Sequence, residues 1–320
     1  MSTVSVIMNA FNAEKYLKET IDSVYAQTYS DWEIVFWDNA STDKTAEIVK
    51  QYDSKLHYFY SNEHVPLGKA RNYALEKARG DYIAFLDCDD LWEPEKLDLQ
   101  LKLLHERPDV KLVYSDGYII NSQGSLLEVF SEKYIFFRGF IFEKLMKQDF
   151  IPFQSVMMRR SLFERIYFSE NFEVVEDLDM LLKVAYEYEI DYVPARLMKY
   201  RWHTENASHR EVEAPIKEVI EIRKFWINKI SDRGRNLFLR KLLSADYLTY
   251  SNWLLDQRRE PEARKMIILS LFSPFTFSFK LSHLKYFLSF FPRKFSFFLL
   301  IIYRKLRSYC SGFGKMMPDS

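Results

Sequence analysis

The sequence predicts an α/β protein built on a mostly parallel sheet flanked by helices. Three observations carry that expectation. Short continuous apolar runs rich in β-branched residues, such as VSVIM (4–8) and EIVFW (33–37), alternate with amphipathic segments. Polar clusters follow several of these runs directly. The composition is globular, with 48% hydrophobic and 17% aromatic residues over 320 positions.

The elements follow in order. After the first run, Leu17, Ile21, Val24 and Tyr25 recur at helical spacing, with Asn12 as the expected N-cap. Ser41 or Asp43 is expected to cap the helix after the second strand. LHYFY (56–60) reads as a third strand. A helix over 69–78 is expected to close at a turn on Gly80. YIAFL (82–86) reads as a fourth strand, and a fifth begins at 112–114. Residues 125–153 are aromatic and less regular, like a loop or lid. A strand is expected over 196–202 and helices over 215–257. The expected division is a sheet domain at 1–210 and a helical region at 211–320.

Composition excludes several classes. Eight glycines and ten prolines are too few for collagen or low-complexity sequence. Two cysteines, Cys88 and Cys310, build no disulfide framework, so a reducing compartment is the simpler expectation. The opening MSTVSVIMNAFN has no basic start and no long apolar stretch, and so does not read as a secretory signal.

The formal net charge of zero hides an asymmetry. Residues 263–318 carry ten Lys/Arg and no Asp/Glu, while the rest hold 35 basic and 45 acidic side chains. Apolar runs at 286–291 and 295–303 flank Pro292-Arg293-Lys294. The longer is nine residues, far below the roughly 20 that a membrane-crossing helix needs. With Arg304, Lys305 and Arg307 following, the tail reads as an interfacial segment on an anionic membrane. The competing reading is a helix packed on the body or on a second chain. A nucleic-acid arm would not need so much phenylalanine.

Ligands on parallel α/β sheets sit outside the carboxyl ends of the strands. Three polar clusters fall there: Asn9-Ala10-Phe11-Asn12, Asp38–Asp43 (DNASTD) and Asp87-Cys88-Asp89-Asp90. Each alone would pass as a turn or a cap. The third is the most informative. Three carboxylates within four residues repel one another unless something positive binds them. Oxygen donors of this kind suit Mg2+ or Mn2+, which also bridge to substrate phosphates. Asp90 is expected to cap a helix starting at Leu91, and the Cys88 side chain should point away from those of its neighbours. Asn206-Ala207-Ser208 is formally a glycosylation sequon, without meaning in a protein read as cytoplasmic.

Taken together these residues resemble the family 2 glycosyltransferases, inverting enzymes with the GT-A fold (a Rossmann-like α/β sheet) that build bacterial cell-surface polysaccharides. The resemblance spans roughly residues 3–209. It rests on VSVIMNAFN, on Gln27-Thr28-Tyr29 with Trp32-Glu33, on DNASTD, on Gly68-Lys69-Ala70-Arg71-Asn72, on the Asp-x-Asp of Asp87–Asp89, on Glu176-Asp177 and on Tyr200-Arg201-Trp202-His203. It implies metal-dependent hexosyl transfer from a nucleotide-diphosphate sugar, UDP-linked by expectation, to a saccharide or lipid-linked saccharide. Asn9, Phe11, Asp38 and Asn39 would meet the nucleoside, with Phe11 stacking on the base. Arg71, Asp87 and Glu176 would complete substrate binding. Asp87, Asp89 and His203 would hold Mn2+ or Mg2+. Asp177 would be the general base, because the acceptor hydroxyl must lose a proton as it attacks. Asp179 lies about 200° further round a helix and cannot face the same sugar.

Beside the nucleotide-sugar donor and the acceptor, the implied partner is an anionic membrane surface met by the tail, with no nucleic acid. The implied location is the inner face of the cell membrane, on the cytoplasmic side. Two readings compete. A nucleotide-sugar pyrophosphorylase would need a Gly-rich loop after the first strand, and 9–12 contains no glycine. A non-catalytic nucleotide-sugar or anionic-surface binding protein would have no need of Asp87, Asp89 and Asp177 together.

Overall fold

Strand β1 (Val4–Ala10) has Val4, Val6, Ile7 and Met8 at or near zero exposure. Apolar residues on successive positions can all be buried only where both faces of the sheet are covered, so β1 must be central. It pairs in parallel with β2 (Trp32–Asp38) on one side and β4 (Tyr82–Phe85) on the other. β3 (Leu56–Tyr60) adds to β2, also in parallel. The computed structural model describes residues 3–204, 206 and 212–272.

Among the described residues, β5 (Leu91–Trp92), β6 (Leu112–Ile120), β7 (Leu126–Val129), β8 (Met157–Arg159) and β9 (Ile190–Arg201) extend β1–β4 to a nine-stranded sheet in the order β3-β2-β1-β4-β8-β6-β9-β5, with β7 paired to β6. Beyond β4 the sheet is mixed, with antiparallel pairs beside a parallel one. β8 (Met157–Arg159) runs antiparallel to both β4 and β6 (Leu112–Ile120). β9 (Ile190–Arg201) is parallel to β6 and antiparallel to β5 (Leu91–Trp92). The irregular stretch expected at 125–153 contains β7 (Leu126–Val129) and the short helices α5 (Phe130–Lys133) and α6 (Phe142–Lys147).

Helices α1 (Leu17–Tyr25), α2 (Thr45–Val49), α3 (Leu67–Leu75), α4 (Lys96–Glu106) and α7 (Glu176–Glu187) complete this part of the chain. Leu17, Ile21 and Val24 bury one stripe of α1 in the same core as Ile34 and Phe36. Each such fully buried side chain contributes roughly 1.5–3 kcal/mol.

Several capping expectations need correction. α1 starts after Tyr16, without a side-chain cap. Asn12 instead adopts φ 53° and accepts a hydrogen bond from the Thr42 N–H at 2.8 Å, joining two strand-end loops. Asp90 caps no helix, because Leu91 and Trp92 form a strand. Asp43 does accept from the Thr45 N–H at 2.9 Å at the start of α2.

Gly80 closes no left-handed cap either. Its N–H donates to Ser5 Oγ at 2.8 Å, and Ser5 Oγ in turn donates to Glu33 Oε1 at 2.6 Å. A Cβ on Gly80 would lie 2.6 Å from the Thr3 carbonyl oxygen and 2.7 Å from the Ser5 nitrogen, so glycine is needed for the chain to pass that close to β1.

Contacts divide the chain into two units between Glu218 and Val219. The second carries most of helix Glu213–Lys229, then helices Arg233–Asp256 and Glu260–Phe272. Asp232 caps the middle one by accepting from the Arg235 N–H at 2.7 Å, and a buried Arg223–Asp246 ion pair joins the first two. Among the described residues no helix is long and apolar enough to cross a membrane. The interfacial segment expected at 286–303 lies outside the described residues.

Gly80→Ala should cost about 1–3 kcal/mol by overpacking, read as a lowered midpoint of thermal unfolding. Gly234→Ala should cost nothing, since its added Cβ meets nothing nearer than 3.4 Å. Equal effects of the two substitutions would refute the close-approach account.

Candidate active site

The carboxyl ends of β1 and β4 open into a cavity of about 680 Å3. Asn9 and Phe11 line it from the first loop, Asp87 and Asp89 from the fourth, and Arg71, Glu176 and Asp177 from α3 and α7.

Arg71 is the centre of the arrangement. Its side chain is only 4% exposed, with Nη1 2.6 Å from Glu176 Oε1 and Nη2 3.1 Å from Asp87 Oδ1. The guanidinium lies over the rings of Phe153 and Phe168, at 4.7 and 5.5 Å. Burial opposes its charge, but the carboxylates of Glu176, Asp87 and Asp177 outweigh burial and hold its pKa above the usual guanidinium value. The Gly-x-x-Arg-Asn spacing serves one contact surface. A Cβ on Gly68 would meet the Ser169 carbonyl oxygen, and Asn72 exchanges two hydrogen bonds with the Phe168 backbone, at 3.0 and 3.1 Å. α3 is thereby fixed against the chain entering α7.

The start of α7 is held from a second side. The Glu218 carboxylate accepts from the backbone N–H groups of Glu173, Val174 and Val175 at 2.7–3.1 Å. Glu176 and Asp177 are thus presented at the helix N-terminus, where the macrodipole favours anions. Burial pushes the Glu176 carboxyl up to about 8 against the pull of Arg71, and its Oε2 is buried with no hydrogen-bond partner. Burial likewise raises Asp177, again opposed by Arg71. Asp179 does not line the cavity and pairs with Lys183 at 2.6 Å.

The antiparallel β5–β9 pairing carries residues 200–203 alongside 87–90. Arg201, nearly fully buried, donates through its backbone N–H to Asp90 Oδ1 at 2.7 Å and through Nε to the Asp89 carbonyl at 2.9 Å. His203 Nε2 comes to 3.0 Å from Asp89 Oδ2. Burial, reinforced by the charge of Asp87, raises the Asp89 carboxyl above its ordinary value. Cys88 turns away from its neighbours, with Sγ 3.3 Å from the Asn9 carbonyl, and burial pushes its thiol up.

The expected three-ligand set is not assembled. Among the described residues no three His, Cys, Asp or Glu side chains stand ready for a metal. Asp87 is engaged by Arg71 and by Gln154 Nε2, the latter at 2.6 Å, which leaves Asp89 with His203.

The second loop also differs from expectation. Asp38 and Asn39 are buried and are not among the residues lining the cavity. Asp38 accepts from the Ser41 N–H and the Tyr58 hydroxyl, both at 2.8 Å. Asn39 donates to the Val65 carbonyl at 2.7 Å and accepts from the Val65 N–H at 3.1 Å. Both side chains build the loop walls, and the loop they hold brings His64 against Phe11, ring centroids 4.1 Å apart. Phe11 itself is half exposed, and Asn9 Nδ2 is buried with no hydrogen-bond partner.

Sequence reasoning missed Gln154, Asp149, His64 and Asn206. Gln154 is held from behind by Trp92 Nε1, which donates to its carbonyl at 2.9 Å, and by Gln100 Nε2, which donates to the Ser155 carbonyl at 2.6 Å. Buried Lys96 anchors this brace through Gln100 Oε1, 2.6 Å away, and burial pulls its pKa well below the usual lysine value. Asp149 lines the cavity, still open to solvent, and the protein crowded around it together with the charge of Asp177 raises its carboxyl above the ordinary value. Asn206, dismissed as a sequon, accepts from the His203 N–H at 2.6 Å and lies 3.4 Å from Asp89 Oδ2. Gln154 and Asp149 precede the antiparallel strand β8, and His64 and Asn206 lie four and five residues beyond the ends of β3 and β9, past the residues that directly follow those strands.

Comparison with known proteins fits this geometry. An uncharacterized glycosyltransferase of Methanocaldococcus jannaschii, MJ1057, is 32% identical over 71% of this chain and 80% of its own length. The putative teichuronic acid biosynthesis glycosyltransferase TuaG of Bacillus subtilis is 44% identical over 32% of this chain, a match spanning only 42% of TuaG. An Escherichia coli UDP-Glc:alpha-D-GlcNAc-diphosphoundecaprenol beta-1,3-glucosyltransferase, WfgD, is 31% identical over 62% of this chain and 76% of its own. Among solved structures, S. aureus TarS 1–349 in complex with UDP has the same fold, with a TM-score of 0.61 and 21% identity over 84% of this chain and 80% of its own. So has the mannosyltransferase PcManGT of Pyrobaculum calidifontis in complex with GDP-Man and Mn2+, with a TM-score of 0.61 and 18% identity over 95% of this chain and 79% of its own. Residues 5–167 match the glycosyl transferase family 2, and with these relatives the chain belongs to that family.

Proposed function

We propose that this protein is an inverting glycosyltransferase that moves a hexosyl unit from a UDP-linked donor to a saccharide or lipid-linked saccharide. The observation that carries the reading is Asp177, raised in pKa at the N-terminus of α7, in the same cavity as Arg71 and the Asp87–Asp89 loop. The donor follows from the UDP bound by TarS and the UDP-Glc named for WfgD. The lipid-linked acceptor follows from WfgD alone.

Phe11 offers the base a platform beside His64, and the Asn9 amide has an unsatisfied donor for the nucleotide. Asp38 and Asn39 serve the nucleoside indirectly, by shaping the loop that holds His64. The sugar diphosphate then faces a charge problem. Asp87, Asp89, Asp149, Glu173, Glu176 and Asp177 line the cavity against Lys15, Arg71 and His203. A diphosphate added to that surplus is repelled unless a cation enters with it. Asp89 and His203 fit such an ion: a carboxylate and an imidazole already 3.0 Å apart form a donor set suited to Mn2+, the ion in the PcManGT complex. When bound there, the ion would neutralise charge on the departing diphosphate.

The chain's own residues do the remainder. Arg71 stays charged and pre-oriented, a fixed positive dipole that need not reorganise as charge develops. Asp177 accepts the proton of the acceptor hydroxyl while its oxygen bonds to the anomeric carbon. The carbon–diphosphate bond breaks from the opposite face, and the nucleoside diphosphate keeps the electron pair. A base with a raised pKa holds the proton better at neutral pH. We place the enzyme at the inner face of the cell membrane, with the basic, Phe-rich end of the sequence meeting anionic lipid.

Asp177→Asn should lower transfer at least about a thousandfold, within the range that general-base loss costs, while UDP still stabilises the protein against heat. Near-normal turnover in that variant would exclude Asp177 as base. Asp89→Ala and His203→Ala should each weaken the Mn2+-dependent part of UDP binding by roughly tenfold or more, read by calorimetric titration with and without Mn2+. An undiminished Mn2+ effect in both would exclude the pair as ligands.

The pH profile supplies a further check. The base works deprotonated, so the rate rises as pH climbs through the titration of the coupled carboxyls, Asp177, Asp149 and Glu176, all raised above their ordinary values. The acid limb of kcat/KM should therefore lie above that of a free aspartate. Asp149→Asn removes a negative charge that disfavours ionised Asp177, so its acid limb should move to lower pH. A limb that stays in place would uncouple Asp149 from the base.

A further inference from the structure

A second, more open groove of about 730 Å3 lies on the first unit, and Tyr134 lines both it and the active-site cavity. Its walls come from the turn of β6 around Asp116, from 131–136 after β7, and from the middle of β9. We propose that this groove is the subsite for the acceptor saccharide behind the reacting hydroxyl. The inference deepens the glycosyltransferase reading and rests on it.

Four aromatic side chains, Tyr118, Tyr134, Phe136 and Tyr192, share the lining with one acid and one guanidinium, Asp116 and Arg196. The rings are braced from behind. Tyr192 packs between Tyr114 and Phe136, with ring centroids at 5.5 and 5.8 Å, and the Tyr114 hydroxyl is locked to Phe137, donating to its carbonyl and accepting from its N–H at 2.7 and 2.9 Å. Rings held in place present flat apolar faces at small entropic cost, which suits the axial C–H face of a pyranose.

The polar pair is equally fixed. The Asp116 side chain is 9% exposed, and its Oδ1 accepts from the Gly117 and Ser131 N–H groups at 2.8 and 3.1 Å. Its Oδ2 lies 3.5 Å from Arg196 Nε, and the Arg196 guanidinium sits 5.6 Å from the Tyr118 ring centroid. A planar donor fork beside a buried carboxylate is the chemistry that reads vicinal hydroxyls. The acid balances the guanidinium, so the groove has no net attraction for a phosphate or nucleotide. A purely apolar protein ligand would cover the half-exposed Arg196 and leave the pair unserved. The shared Tyr134 gives continuity: a saccharide whose terminal hydroxyl reaches Asp177 has its preceding rings directed along these aromatics.

The test uses the full chain and four probes: chitotriose, cellotriose, maltotriose and a hyaluronan tetrasaccharide, followed by saturation-transfer NMR. At least one should bind. Tyr118→Ala and Arg196→Ala should each weaken it by about fivefold or more, the loss of one aromatic or bidentate contact. Both variants should bind UDP as the parent does. Phe11→Ala should do the reverse, weakening UDP and sparing the saccharide. If no probe binds, or if neither groove substitution weakens a probe that does, the subsite is refuted. Failure of the parent to bind UDP would overturn the donor reading instead, and the saccharide titrations would still judge the groove separately.

Discussion

The buried contact of Arg71 with Glu176 and Asp87 is the constraint from which the rest of the site follows. It joins α3, the end of β4 and the start of α7, elements far apart in sequence. A guanidinium taken out of water survives only with well-placed partners, and removing one partner of such a pair typically costs roughly 3–5 kcal/mol. The chain supplies more acid than Arg71 can satisfy. Glu176 Oε2 is left without a hydrogen bond, burial raises Asp177, and the charge of Asp177 in turn helps raise Asp149. The geometry therefore does more than hold three elements together: it keeps a carboxylate basic beside a fixed positive charge. Those are opposite requirements, and the shared arginine reconciles them by pairing closely with Glu176 and Asp87 while acting on Asp177 only through space.

The first half of the sheet was legible because its strands are buried on both faces and carry an unmistakable continuous apolar pattern. β8 was not legible. Met157–Arg159 is three residues long and gives no periodicity, yet it turns the sheet antiparallel. The caps were misread for a related reason. Asn12 and Asp90 are residue types that favour turns and helix ends, but here their side chains spend their hydrogen bonds on the distant backbone N–H groups of Thr42 and Arg201. Local propensity says that such a residue will bind backbone, and only the fold says which backbone.

The same distinction separates the site residues that were found from those that were missed. Asp87 and Asp89 announce themselves as acids at the end of an apolar strand, and Asp177 stands out through the Glu176-Asp177 pair of the family resemblance. Gln154 and Asn206 are ordinary amides, and their importance arises from what stands behind them. Gln154 is held by Trp92, and its neighbour Ser155 by a Gln100 that a buried lysine anchors. Asn206 folds the chain after β9 back on His203. A cluster of carboxylates can be recognised from charge and spacing, whereas a residue that orients one is visible only through a network of contacts across the fold.

That network also explains why the Gly-x-x-Arg-Asn spacing and the Glu-Asp pair belong together. Gly68 permits close approach, Asn72 clasps the Phe168 backbone, and Arg71, between them on the same helix, reaches Glu176. Glu218 holds the backbone just before α7 from outside. In the proposed mechanism the base is thus positioned by a helix that also carries the arginine facing the donor, so a displacement of α3 would move both supports at once. A site built this way ties Arg71 and Asp177 to one buried contact, Arg71 with Glu176, rather than to each other through solvent.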